Sequence, residues 1–163
     1  MKDVYDNLLL KPGATNAGIS KINVIPKQWL SSNIIVDFAT GTVKDAISLF
    51  AGKSLIEFQF TPLSYDYEEK PKSSKSGSFI NVSISGLIND VDDQQLQVIE
   101  SFRYSELVVI AMDRKRRKRI IGNQEYGMIF SFDNKNSNNP NGIQKAQISL
   151  ILDSEYYPPF YMV

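Results

Sequence analysis

The sequence contains no cysteine and no histidine. Without thiols the chain cannot form disulfides, thiolate zinc sites or cysteine nucleophiles. Without imidazole it lacks the commonest general base and metal ligand, which excludes Ser-His-Asp triads and H-E-x-x-H zinc sites. The enzyme classes that remain would have to use carboxylates, lysine or tyrosine alone. We therefore expect no enzymatic activity, no catalytic residues, no metal and no cofactor, with a carboxylate-based hydrolase as the least favoured hypothesis.

Neither sign of charge is in excess, and long hydrophobic runs are missing. Lysine plus arginine number 18 and aspartate plus glutamate number 18, so only a local cluster of charge could select a partner. No apolar segment approaches the ~20 residues of a membrane-spanning helix, and the first ten residues lack the pattern of a signal peptide. We expect a protein of an aqueous compartment without membrane contact. Its 163 residues, 42% of them hydrophobic, suit one domain with its own core.

Short segments with strand-like patterns dominate the sequence. Residues 56–60 and 79–86 alternate apolar and polar side chains, as half-buried strands do. Residues 106–112 are continuously apolar after Glu106, as a central strand is. Residues 90–102 combine capping aspartates with a helical apolar stripe, and residues 43–50 predict a second short helix. The predicted fold class is mainly β: an antiparallel β-sandwich or barrel with one or two short helices and extended terminal arms.

Polar segments between these elements contain the acidic side chains that could support chemistry. Residues 65–77 are polar and serine-rich with one proline, which predicts a long surface loop. Glu68 and Glu69 within it could form a carboxylate pair of the kind that glycosidases use for hydrolysis. The aspartates of residues 90–93 favour helix capping over a cation site, because the calcium-loop pattern is absent.

The chain divides into an N-terminal arm (residues 1–20), a β-rich globular domain (21–153) and an aromatic C-terminal tail (154–163). The arm carries an apolar triplet before a run of turn-forming residues. The tail places aromatics around two prolines, a combination typical of rigid interface anchors. Each segment could contact another subunit or pack on its own domain. The candidate interface residues are Leu8, Leu9, Leu10, Tyr156, Tyr157, Phe160 and Tyr161.

Six consecutive cations form the sharpest local signal: Arg114, Lys115, Arg116, Arg117, Lys118 and Arg119. They follow the predicted central strand and precede a return strand, which predicts a β-hairpin with a charged tip. Four interpretations stay open: a solvated tip that prevents wrong edge pairing, a contact with nucleic-acid phosphates, docking on an acidic protein surface, or a nuclear localisation signal. Aromatic residues do not interleave with the run, so we expect no base stacking on it.

Residues 82–161 resemble a family of small virion structural proteins of tailed phages that infect Bacteroidetes-type bacteria. The resemblance rests on residues 107–112, 120–126, 148–150 and 158–161. It implies a neck, head–tail connector or tail protein that assembles into a homo-oligomeric ring and is not an enzyme. The implied partners are copies of itself, other virion proteins such as portal, neck or tail proteins, and genomic DNA in the ring lumen. The implied location is the virion, assembled in the host cytoplasm. The basic run departs from the family, where a short Asn-Gly-type turn is usual.

Overall fold

The structure, a computed structural model, describes residues 21–112, 116–135 and 145–163. Within these residues lie ten strands, one α-helix (α1, Asp93–Ser101) and a 3-10 turn at Lys27–Trp29. The strands are β1 Lys21–Pro26, β2 Thr42–Val43, β3 Ile56–Gln59, β4 Asp66–Ser74, β5 Gly77–Asn89, β6 Glu106–Met112, β7 Lys118–Ile121, β8 Met128–Lys135, β9 Lys145–Ser154 and β10 Phe160–Tyr161. The mainly β prediction is confirmed.

The ten strands form one open sheet that folds over its own core in the manner of a sandwich. Its order is β2-β10-β7-β6-β8-β9-β5-β4, with β1 beside β6 and β3 beside β1. The sheet is not closed, so of the two predicted architectures the sandwich describes it and the barrel does not. Every pairing is antiparallel except β2 with β10, which is parallel. The predicted antiparallel architecture is thus confirmed, with one parallel pairing at this edge.

After Glu106, strand β6 is buried on both faces, which explains why residues 107–112 are all apolar. Leu107 and Val109 face the main core, together with inward residues of β1, β3, β5, β8 and β9. Val108 and Ile110 face a smaller core on the opposite side, which is covered by residues 29–49 and by Tyr161. Because successive side chains of a strand point to opposite faces, a strand between two cores must be apolar at every position.

Helix α1 forms where capping aspartates precede an apolar stripe. The Asp92 carboxylate accepts a hydrogen bond from the Gln95 backbone N–H at 2.8 Å, and the Gln95 side chain accepts one from the Asp92 N–H at 3.1 Å. This reciprocal arrangement satisfies two N–H groups that the first turn would leave unpaired. Val98 and Ile99 then enter the main core. The capping prediction is confirmed. In the described part of the chain, no helix has the length and apolar character needed to cross a membrane.

Two predicted elements are wrong, and tertiary pairing explains both. Residues 43–50 do not form a helix, because Val43 pairs with Tyr161 in the parallel β2–β10 ladder and is buried there. Residues 65–77 are not a loop, since β4 pairs with β5 along its whole length. An edge strand can be polar and can contain Pro71, because its outer N–H groups have no ladder partner to lose.

Candidate functional site

The basic run and the aromatic tail, which the sequence predicts as two separate sites, lie side by side. Strand β10 pairs antiparallel with β7, so that Phe160 is opposite Arg119 and Tyr161 is opposite Lys118. The cations of the run that the structure describes are Arg116, Arg117, Lys118 and Arg119. The predicted site residues Leu8, Leu9, Leu10, Arg114 and Lys115 lie outside the described residues. The division into arm, domain and tail stays a prediction, although β10 belongs to the domain's own sheet.

Arg119 is committed to contacts inside the fold. Its guanidinium lies 3.5 Å from the Glu69 carboxylate, donates a hydrogen bond to the Pro158 carbonyl at 2.8 Å, and covers the Phe160 ring at 4.2 Å from the centroid. Only 22% of the Arg119 side chain and 15% of that of Glu69 are exposed. Arg119 therefore ties β4 to β7 and the tail, and it is not available at a surface tip.

Glu69 has a second partner in Tyr67, and this arrangement argues against a carboxylate pair. The Tyr67 hydroxyl donates a hydrogen bond to Glu69. Burial first, and then this hydrogen bond to a carboxylate, raise the pKa of Tyr67 well above its usual value. Glu68 instead bonds Lys70 on the outer side of β4. Because neighbouring residues of a strand point to opposite faces, Glu68 and Glu69 do not converge on one substrate, and the glycosidase-like hypothesis is wrong for this pair.

Arg116, Arg117 and Lys118 form one wall of an exposed groove. The remainder of its lining is residues 160–163, and its volume is about 430 Å³. Lys118 Nζ donates to the Val163 carbonyl at 2.7 Å, and the Arg117 guanidinium lies 5.3 Å from the Phe160 centroid. We call this feature the basic groove, defined by residues 116–118 and 160–163.

The basic groove combines positive charge with apolar surface. Met162 is 66% exposed and Val163 50% exposed on the side facing the three cations. Such a surface suits an anionic segment that also carries apolar side chains, since the cations attract the charge and the exposed carbons gain from leaving water. No aromatic residue interleaves with the basic run in the sequence, and the expectation of no base stacking stays a prediction. Cross-strand pairing brings in Phe160 and Tyr161 from 40 residues away, where no sequence window could find them.

A second exposed feature lies at the start of the tail, where Phe38 contacts Tyr156. Together with Ile35 and Tyr157, exposed residues nearby in the sequence, these two form what we call the apolar patch. The Phe38 ring meets the Tyr156 ring edge-on, with centroids 5.2 Å apart. Ile35, Phe38 and Tyr157 are 69%, 71% and 53% exposed. The apolar patch lies at the β2 edge of the sheet, because residues 37 and 42 form a bridge there. Sequence reasoning identified the two tyrosines and missed Phe38, whose only signal is a large aromatic before the turn residues 39–41.

The tail presents its tyrosines on a rigid support. Tyr126 donates a hydrogen bond from its hydroxyl to that of Tyr156 at 2.7 Å, and burial together with this bond raises the pKa of Tyr126. The Ser154 hydroxyl donates to the Tyr156 carbonyl at 2.8 Å. Pro158 and Pro159 are buried immediately after. Tyr157 is thus an exposed aromatic whose backbone is fixed on both sides.

Comparison with known protein families, with curated proteins and with solved structures finds no match to this chain. The resemblance to phage virion proteins therefore stays a prediction. The basic groove and the apolar patch are two exposed features of the described residues that contain predicted site residues. Both use the tail, which supplies the apolar wall of one and the rigid aromatics of the other.

Proposed function

We propose that this protein is a structural virion component of a tailed phage, a neck, head–tail connector or tail protein that assembles with copies of itself into a ring. In this role it contacts portal, neck or tail proteins, resides in the virion and catalyses no reaction. The observation that carries the proposal is the apolar patch, in which large apolar side chains stay exposed on a rigid frame. The sequence resemblance supplies the virion context.

The apolar patch has the properties of an interface anchor. Burying a large apolar side chain stabilises a complex by roughly 1.5–3 kcal/mol, and Phe38 and Tyr157 both have most of that area still to lose. Because prolines and hydrogen bonds already fix the backbone around Tyr157, docking costs little further conformational entropy. The occupant we propose is a different face of a second copy, since contacts between two unlike faces close into rings.

Assembly can be tested by sedimentation and light scattering across a range of protein concentrations. The wild-type chain should form a discrete oligomer, and the double variant Phe38→Ser/Tyr157→Ser should sediment as a monomer. Tyr104→Ser is the matched control, because Tyr104 is an equally exposed aromatic (73%) at the far end of β6. A patch variant that assembles like the wild type would contradict the proposed interface.

The virion assignment needs a separate measurement. Mass spectrometry of purified particles from the phage that encodes this gene should detect the chain at several copies per particle, and immunogold labelling should place it between head and tail or along the tail. Particles that assemble fully without the chain would refute the structural role, whatever the oligomeric state of the isolated protein.

Binding of single-stranded nucleic acid through the basic groove is the second candidate function. The observation that favours it is the pairing of β10 with β7, which sets aromatics beside the exposed cations. Phosphate contacts release counterions, so fluorescence anisotropy with labelled DNA should show affinity that falls steeply with salt. Arg116→Ala/Arg117→Ala should abolish that binding, whereas Lys72→Ala/Lys75→Ala on the exposed β4–β5 hairpin should not. Identical behaviour of the two double variants would exclude this function.

A further inference from the structure

A cleft of about 710 Å³ opens where three segments meet at the start of β6. Pro26, which leads into the 3-10 turn, is opposite Leu107. Ile129 of β8 is opposite Glu106, and residues 102–105 connect α1 to β6. A cleft of this volume is within the usual range for a site that binds a small molecule. We call it the aromatic cleft, lined by residues 26–29, 53, 101–102, 104–106 and 129.

Aromatic side chains form much of its lining, and one of them is held in a strained conformation. Phe102 is buried, whereas Tyr104 is 73% exposed. The backbone of Tyr104 has a φ of 59°, a left-handed conformation that side chains with a Cβ rarely adopt. Its N–H donates to the Phe130 carbonyl at 2.9 Å, and the Phe130 N–H donates to the Ser105 carbonyl at 3.0 Å. The fold therefore holds an exposed aromatic ring at the cleft at a cost in backbone energy.

The charged residues among the described lining are Lys27, Lys53 and Glu106, which together carry one net positive charge. Lys27 forms an ion pair with Glu106, so the charge of Lys53 is the one in excess. The Lys53 Nζ lies 4.7 Å from the centroid of the Trp29 ring. Because a ring face attracts a cation, Trp29 keeps this ammonium group beside the cleft.

We infer that the aromatic cleft binds a small organic anion whose apolar part is a flat ring system. The ring contacts Tyr104 and Ile129, and the anionic group pairs with Lys53. A neutral ring of the same shape gains only the first of these contacts, so the charge confers selectivity. The site does not depend on ring assembly, because it shares no residue with the apolar patch.

Anilinonaphthalene sulfonate is a suitable probe, because it carries one sulfonate on a flat ring system and fluoresces when it leaves water. Its neutral counterpart, N-phenylnaphthylamine, lacks the sulfonate. Fluorescence titration of the wild-type chain should show saturable binding of the sulfonate dye. Trp29 is the single tryptophan, so its indole N–H signal in an NMR spectrum should shift in step with the titration. Saturation that leaves this signal unmoved, or a lack of saturable binding, would overturn the inference.

Two variants separate the contributions of charge and ring. Lys53→Gln should weaken binding of the sulfonate dye about threefold to fivefold, the effect of one exposed ion pair, and leave the neutral dye unchanged. Tyr104→Ser should weaken both dyes at least about fivefold, since both lose the same ring contact. Lys72→Gln is the charge-matched control, because Lys72 is an exposed lysine on β4, and it should alter neither affinity.

Equal effects of Lys53→Gln and Lys72→Gln on the sulfonate dye would show that general surface charge attracts the anion, and would refute the inference. Unchanged binding of both dyes to Tyr104→Ser would refute it as well. Loss of binding in Phe38→Ser/Tyr157→Ser would place the dye on the apolar patch instead. Lys53 and Tyr104 are exposed, so their variants should fold, and an unchanged urea midpoint checks this.

Discussion

Replacing Gly86 with alanine should destabilise the fold strongly, because the missing side chain is where Phe60 lies. A Cβ at position 86 would be 2.2 Å from Phe60 Cδ1 and 2.6 Å from its Cγ and Cε1. Carbon atoms in contact prefer about 3.5 Å or more, so the ring would have to retreat by about 1.3 Å. Phe60 is fully buried and its ring packs 5.5 Å from that of Tyr65. The ring has no free space to occupy.

The expected cost is about 2–3 kcal/mol, in the upper part of the range for overpacked cores. Urea unfolding followed by the fluorescence of Trp29, the single tryptophan, measures it. With a urea slope of about 2 kcal/mol/M for a domain of this size, the unfolding midpoint should fall by about 1–1.5 M. An unchanged slope would show that wild type and variant expose the same surface area on unfolding, so that the shift in midpoint measures a change in stability.

The sign of the effect should reverse when the ring is removed. Phe60→Ala alone should cost about 3–5 kcal/mol because it opens a cavity. In that background Gly86→Ala should be neutral or stabilising by about 0.5–1 kcal/mol, since alanine loses less backbone entropy than glycine on folding. If Gly86→Ala lies within about 0.5 kcal/mol of wild type, or costs the same in both backgrounds, the close packing of Phe60 on β5 is wrong.

Three further predictions concern charge and capping. Burial opposes ionisation of Glu57, but hydrogen bonds to a lysine and a glutamine outweigh it, so the pKa of Glu57 lies below its ordinary 4.5. The resulting stabilisation is present above the unfolded-state pKa and is lost as pH falls through the folded value, so the urea midpoints of wild type and Glu57→Gln should differ at pH 7 and converge below the folded pKa. Arg119→Ala should lower the free energy of unfolding by about 2–4 kcal/mol in the same assay, because it leaves Glu69 without its cation in a largely buried position. Arg116→Ala should change it by no more than about 0.5 kcal/mol. Equal costs for the two variants would refute the conclusion that Arg119 is held inside the fold and Arg116 is not. Asp92→Ala should remove about 1 kcal/mol by loss of the cap, and an unchanged unfolding midpoint would contradict the capping role.

The local sequence pattern predicted those strands and the helix whose side chains are buried at regular intervals. The apolar run of residues 106–112 is β6 to the residue, and the alternation of residues 79–86 lies within β5. The helix predicted over residues 90–102 is observed at Asp93–Ser101 with its predicted cap. In each case the signal is the periodicity of buried side chains, which a single segment carries by itself.

Pairing between distant segments could not be predicted in the same way. The polar sequence of β4 is typical of a loop, and only its ladder with β5 makes it a strand. Strand β2 is two residues long and exists because β10 lies beside it. The same limit applies to the candidate site. The sequence identified the basic run and the aromatic tail but could not show that they share a groove, nor that Arg119 is withdrawn from it by Glu69.

The tail therefore contributes to both candidate features of this chain, the basic groove and the apolar patch. The basic groove combines residues 160–163 of the tail with the exposed cations of residues 116–118. The apolar patch, at the β2 edge, is built from different side chains and stays open when the groove is filled. The proposed self-assembly through the patch and the proposed nucleic-acid binding in the groove are thus compatible. The Arg116→Ala/Arg117→Ala variant should for this reason lose affinity for DNA and still assemble normally.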